Sequence, residues 1–336
     1  MSIEKDEGMS VEKVSKFLQG KIRSEDSAKL LAVQVLRGAA EALELNVGFE
    51  KWFENRFKYQ FTWLDKDDYS KSLVRALWLA PVFAGTDFGS SRQRDLAQVW
   101  TDTARGFLGE IAVSKFLSEK FGIQTSLDTR RGKLMDFLPT DIAKVKLSEG
   151  DERSPKLRMS IKTTKFNGRW LDAPGAQIEH SDVFILVKVG ILRNHFLSFL
   201  KAISFLKDKL FPNAVNLGEL DNEEAEKLWD EIPYFDPIPA YIAGYLNKGE
   251  LKFPIDNLIC KKRRGKYPRI TITQGVGLFS KENIRDNIEV KKLDPEGELR
   301  IEIEPIIDSL TSPHFFAHSG GLKWGEKDWT ELISRI

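Results

Sequence analysis

The sequence predicts an α/β chain of the α+β kind, with a mixed central β-sheet flanked by helices and a helical region at its N-terminal end. Three observations carry this. Phe107, Ile111, Phe116 and Leu117 recur at spacings of three to five, the pattern of one buried helix face. Residues 157–164 alternate with a period of two, placing Leu157, Met159 and Ile161 on one side and Arg158, Ser160, Lys162 and Thr164 on the other. Residues 182–189, Asp-Val-Phe-Ile-Leu-Val-Lys-Val, then form a short, mostly apolar run.

Taken in order, residues 11–18 and 27–45 have helical spacing, with faces built on Leu30, Leu31, Val35, Ala39 and Leu43. The following stretch is dense in aromatics. Interleaved Lys51, Arg56 and Lys58 would suit a base-stacking surface, but Phe49, Phe53 and Phe57 at four-residue intervals favour a core face. Residues 70–84 read as another apolar helix, and 85–94, with Gly, Ser-Ser and Asp, as the seam before the next region. The expected division is therefore 1–95, a helical region; 96–250, the core; and 251–336, an extension with strands at 269–273 and 299–304 and a closing helix over 328–336. That extension either stands beside the core or is integral to it, and no repeat or low-complexity segment interrupts the chain.

Length and composition fit an ordinary globular protein: 336 residues, 41% hydrophobic and 30% charged. No run of about 18 apolar residues occurs, so no membrane span is expected. The polar, acidic start is unlike a signal peptide, and a single cysteine, Cys260, excludes an internal disulfide or a zinc site built on paired cysteines. Cytoplasmic residence is the expectation. His314 and His318, beside Gly320-Gly321, read as a polar turn rather than a metal pair.

The net charge of +1 hides a segregation: residues 251–275 carry a net +6 and residues 215–236 a net −7. A local positive face serves phosphate contacts even when the total is neutral. Lys261, Lys262, Arg263 and Arg264 are thus candidate DNA-binding residues, with a solvated loop as the alternative. Arg130-Arg131-Gly-Lys133 is a second basic turn of the same kind.

The chemistry-bearing residues come in a definite order. Glu110 lies on the amphipathic helix, at the rim of its buried face. Asp141 follows Pro139-Thr140, and Ser160-Ile161-Lys162 sits on the alternating strand. Residues 148–155, polar with Gly and Pro, suggest a hairpin that would bring Asp141 near Lys162. Two carboxylates from different elements suit Mg²⁺, and a nearby lysine suits the orientation of an attacking water.

This order resembles the PD-(D/E)xK nuclease superfamily, and within it the type II restriction endonucleases. The resemblance covers roughly residues 104–250. Pro139-Thr140-Asp141 stands where the family has Pro-Asp, with one residue inserted, and Ser160-Ile161-Lys162 where it has (Asp/Glu)-x-Lys. The run 182–189 resembles the buried strand after the catalytic hairpin, and 238–246, Ile-Pro-Ala-Tyr-Ile-Ala-Gly-Tyr-Leu, the strand that closes the sheet. The resemblance implies a restriction-endonuclease-like core and Mg²⁺-dependent hydrolysis of double-stranded DNA at a short site by a homodimer, with no nucleotide cofactor. The chain departs from the family at Ser160, which replaces a carboxylate. The missing acid would come from Glu179 or Asp172 in the next segment, or from Glu110, with Glu179 favoured if residues 177–181 form a short helix. The expected catalytic set is Asp141, Lys162, Glu110, Glu179 and Ser160, and the expected metal ligands are Asp141, Glu179 and Glu110. A repair or modification-dependent nuclease, or a non-catalytic DNA-binding protein on the same fold, are the alternative expectations.

Overall fold

The protein is described by a computed structural model covering residues 3–39, 48–86, 95–128, 140–147, 150–251, 255–303 and 313–336. Helices α1 (Ile3–Leu18) and α2 (Glu25–Gly38) lead into the short α3 (Phe49–Trp52), which continues as a π turn over Phe53–Phe57. Strand β1 (Phe61–Leu64) and the long helices α4 (Lys66–Thr86) and α5 (Leu96–Phe121) follow. Helix α5 starts where the Asp95 side chain accepts from the Gln98 amide at 2.7 Å, and stops at Gly122, whose φ of 65° ends the helical run.

Next come β2 (Gln124–Leu127), β3 (Ile142–Lys146), β4 (Met159–Lys165), β5 (Trp170–Pro174), α6 (Gly175–His180) and β6 (Val183–Val189). Helices α7 (His195–Ala202), α8 (Phe211–Asn216) and α9 (Asn222–Glu231) precede β7 (Ile238–Asn247). The last part holds β8 (Asp256–Arg263), β9 (Arg269–Phe279), α10 (Lys281–Asp286), α11 (Ile288–Leu293), β10 (Arg300–Ile303), β11 (His314–His318) and α12 (Gly325–Ser334).

The central sheet runs β1-β7-β6-β4, antiparallel except for the parallel β6–β4 pair, so it is mixed. Strand β6 explains its own apolar run. Val183, Ile185, Val187 and Val189 join Met159, Ile161 and the buried faces of α4 and α5 in one core. Phe184 and Leu186, on the opposite face, join α1, α2, the aromatic turn and part of the second sheet in another. A strand covered on both faces has no polar side to show. In β7 the alternation shifts by one where Ala243 bulges out of the β6 ladder. The next residue, Gly244, has φ 138°, and a Cβ there would meet the Lys323 carbonyl oxygen at 2.4 Å.

The second sheet runs β10-β9-β11-β5, with β8 on β9, and buries its own core under α10 and α11. The three regions read from the sequence are therefore not separable layers: β1, from the first, is a strand of the central sheet, and β11, from the last, pairs with β5. Trp52, Phe53 and Phe57 are almost wholly buried, and the Phe53 and Phe57 rings stack at 5.8 Å, so this stripe packs as core and not as a base-stacking surface. The helix expected over 27–45 ends at Gly38 among the described residues. No described helix is long and apolar enough to cross a membrane.

Candidate active site

Three elements bring Glu110, Asp141 and Lys162 together. Helix α5 lies on the central sheet so tightly at Gly109 that a Cβ there would fall 1.8 Å from Thr163 Oγ1, on β4. The Thr163 hydroxyl in turn donates to the Gly106 carbonyl at 3.2 Å. This contact sets the next helix residue, Glu110, beside the strand that carries Lys162.

The segment before β3 reaches the same place by an unusual route. Instead of a regular hairpin, β3 pairs with β2 and touches the returning chain at an isolated bridge, Val145–Arg153. Farther along, side chains replace the ladder. The Met159 amide donates to Thr140 Oγ1 at 3.1 Å, the Asp141 amide to the Met159 carbonyl at 2.8 Å, and the Ile161 amide to Asp141 Oδ2 at 2.5 Å. Thr140, the residue inserted between Pro139 and Asp141, thus anchors Asp141 to the edge of β4. Asp141 and the strand that carries Lys162 are joined by these bonds and not by a regular hairpin ladder.

The electrostatics follow from burial. Glu110 is pushed well above the ordinary glutamate range by burial and by the charge of Asp141, against the pull of Arg75. Burial also raises Asp141, opposed first by the Ile161 amide and then by Lys162. Lys162 is lowered by burial, while Asp141, Asp172 and Glu110 favour its charged form. Two carboxylates and one ammonium share a half-buried space, the arrangement that perturbs titrations at functional sites.

Arg75, which the sequence reading passed over, is part of this cluster. Its guanidinium lies 4.0 Å from the Phe107 ring centroid, with Nη1 3.4 Å from Glu110 Oε2, and Nη2 donates to the Asp128 carbonyl. The available signal was a lone arginine inside the apolar run Leu73–Ala80 of α4. Gln177 was also missed. Its Oε1 accepts from Lys162 Nζ, and nothing in the sequence distinguishes it from any other polar residue of a short helix.

The short helix expected over 177–181 forms as α6, but it does not deliver Glu179. That side chain is exposed, its backbone carbonyl accepts from Lys248 at 2.9 Å, and its charge is not among those acting on Lys162. Helical geometry explains the correction: Gln177 and Glu179 lie two residues apart and point about 200° around the axis from one another. Of the two acids after Lys162, Asp172 is the one whose charge reaches the lysine. Ser160 is buried on β4, in register with Phe184.

Among the described residues, no group of three or more His, Cys, Asp or Glu side chains is arranged to hold a metal ion. What the site offers is the pair Glu110 and Asp141, whose mutual charge and burial are what a hard divalent cation relieves. Mg²⁺ is commonly held by one or two carboxylates, with waters and substrate phosphates completing its shell.

The candidate DNA-binding residues Lys261, Lys262, Arg263 and Arg264 are exposed along β8 and the turn that joins it to β9. Arg130 and Arg131, with Pro139, lie outside the described residues. No family model matches this chain, and no curated protein or solved structure matches it either.

Proposed function

We propose that this chain is a Mg²⁺-dependent endodeoxyribonuclease of the type II restriction kind, cutting double-stranded DNA at a short specific site as a homodimer. One observation carries the reading: Glu110, Asp141 and Lys162 converge in a half-buried cluster from a helix, the start of one strand and the middle of another. Their order along the chain is the one that resembles the PD-(D/E)xK nucleases.

In this reading Asp141 and Glu110 hold the cation, which would supply charge neutralisation at the scissile phosphate. Asp141 is kept in place by the Ile161 amide and Glu110 by Arg75. Lys162, tethered to Gln177, orients the attacking water and stabilises charge on the phosphoryl oxygens. The exposed cations of the β8–β9 hairpin lie against the duplex backbone and supply affinity without reading bases. A cut through both strands of a symmetric site needs two such clusters related by a two-fold axis, hence a homodimer.

A second reading, a non-catalytic DNA-binding protein on the same fold, draws on Arg75: a cation already stands at Glu110. Digestion of unmethylated phage DNA by the purified protein, with and without Mg²⁺, separates the readings. Discrete fragments support a site-specific endonuclease. A smear points instead to a repair-type enzyme, and Mg²⁺-independent binding with no cleavage to the second reading.

A further inference from the structure

His314 and Asp172 form a side-chain pair that the cluster above leaves unused. Strand β11 runs antiparallel to β5 with His314 opposite Pro174 and Phe316 opposite Asp172, so the two side chains are diagonal neighbours on the paired strands. His314 Nδ1 lies 2.7 Å from Asp172 Oδ1. An ionised carboxylate only accepts, so the shared proton sits on Nδ1 and donates to Asp172. The Phe316 ring stacks on the imidazole at 5.8 Å and 18°, fixing its plane. The ring is thus oriented by a carboxylate on one nitrogen, which leaves Nε2 outside that bond. The imidazole is 23% exposed, enough for a substrate atom to reach it.

Position ties this pair to Lys162. Asp172 lies on β5, which runs directly into α6, and α6 carries the Gln177 that tethers Lys162. The charge of Asp172 also acts on Lys162. The pair belongs to the second sheet, while Lys162 belongs to the central one. In the reading above, Asp141, Glu110 and Lys162 serve the cation and the attacking water, so protonation of the leaving oxygen falls to another donor.

We propose that His314 is the general acid of the reaction and that Asp172 positions it, an inference that rests on the nuclease reading above. As water oxygen bonds to phosphorus and the bond from phosphorus to the 3′-oxygen breaks, protonated His314 gives its Nε2 proton to that oxygen. The products are a 3′-hydroxyl and a 5′-phosphate, and the proton released by the attacking water goes to solvent. Asp172 is here a positioning residue for the imidazole and not a ligand of the cation.

The test compares two DNA substrates at the mapped cut: the natural one and one whose 3′-bridging oxygen is sulfur. A thiolate leaves without protonation, so it does not need the acid. Wild type, His314→Ala, Asp172→Ala and Asp172→Asn are assayed on both, in Mg²⁺ and in Mn²⁺. His314→Ala should lose about 10²-fold or more on the oxygen substrate, in the range that a positioned general acid contributes, and recover to within a few-fold of wild type on the sulfur substrate. Asp172→Ala should behave likewise but more weakly, and Asp172→Asn, whose amide oxygen still accepts from Nδ1, should lie nearer to wild type. Equal loss of His314→Ala on both substrates, or no loss on either, overturns the assignment, since a folding defect is not rescued by a better leaving group. Wild type that cleaves neither substrate overturns the nuclease reading itself, which keeps the two failures apart.

Discussion

Asp141 Oδ2 accepts the backbone amide of Ile161 at 2.5 Å, across 20 residues of chain. The bond fixes the carboxylate against the backbone of the residue immediately before Lys162, whose ammonium is tethered separately by Gln177. Asp141→Ala and Lys162→Ala should each reduce Mg²⁺-dependent cleavage by on the order of 10³-fold or more, with DNA binding within a few-fold of wild type. Single-turnover cleavage and a binding titration check this, and near-normal turnover in either variant would remove the assignment. Glu110→Ala should cost far more activity than Glu179→Ala, because Glu179 faces solvent.

The elevated Glu110 gives a pH signature. A carboxyl whose folded value lies above its unfolded one favours folding at low pH and loses that contribution as pH rises through the folded value. Glu110→Gln lacks the titration. In metal-free buffer it should match wild type below roughly pH 4, the ordinary range for this side chain, and become progressively more stable than wild type as pH rises. Denaturant midpoints measured across pH decide it: a constant offset at every pH would contradict the burial argument.

The packing of α5 on β4 can be probed with two glycines three residues apart. Gly109→Ala places a Cβ against Thr163 and should cost about 1–3 kcal/mol of stability. Gly106→Ala meets nothing within 4 Å and should stabilise by about 0.5–1 kcal/mol, the gain expected from replacing a helical glycine. Urea denaturation of both variants measures the contrast, and similar effects at the two positions would mean that the helix does not lie on β4 as described.

Removing the charges of Lys262, Arg263 and Arg264 together should weaken DNA binding on every sequence and flatten its salt dependence. Every phosphate that the variant no longer neutralises lowers the slope of log K against log salt by about 0.9. The preferred site should not change. An unaltered slope, together with light scattering that shows a monomer both free and on DNA, would exclude the proposed arrangement.

Much of the architecture is legible in the residues themselves. The spacing of Phe107, Ile111 and Phe116 marks α5, the alternation through Met159 and Ile161 marks β4, and the apolar run Val183–Val187 marks β6 as a strand buried on both faces. These are properties of neighbours in the chain, and side-chain period follows from backbone geometry alone. The order Glu110, Asp141, Lys162 is likewise a property of the sequence. What the tertiary structure decided is which groups meet. Arg75 reaches Glu110 across 35 residues, and His314 reaches Asp172 across 142, because α4 packs along α5 and β11 inserts between β5 and β9. Gln177 rather than Glu179 meets Lys162, the two lying about 200° apart around α6. No local period encodes such meetings, since each depends on how separate layers pack, and packing is set by the whole set of buried surfaces at once.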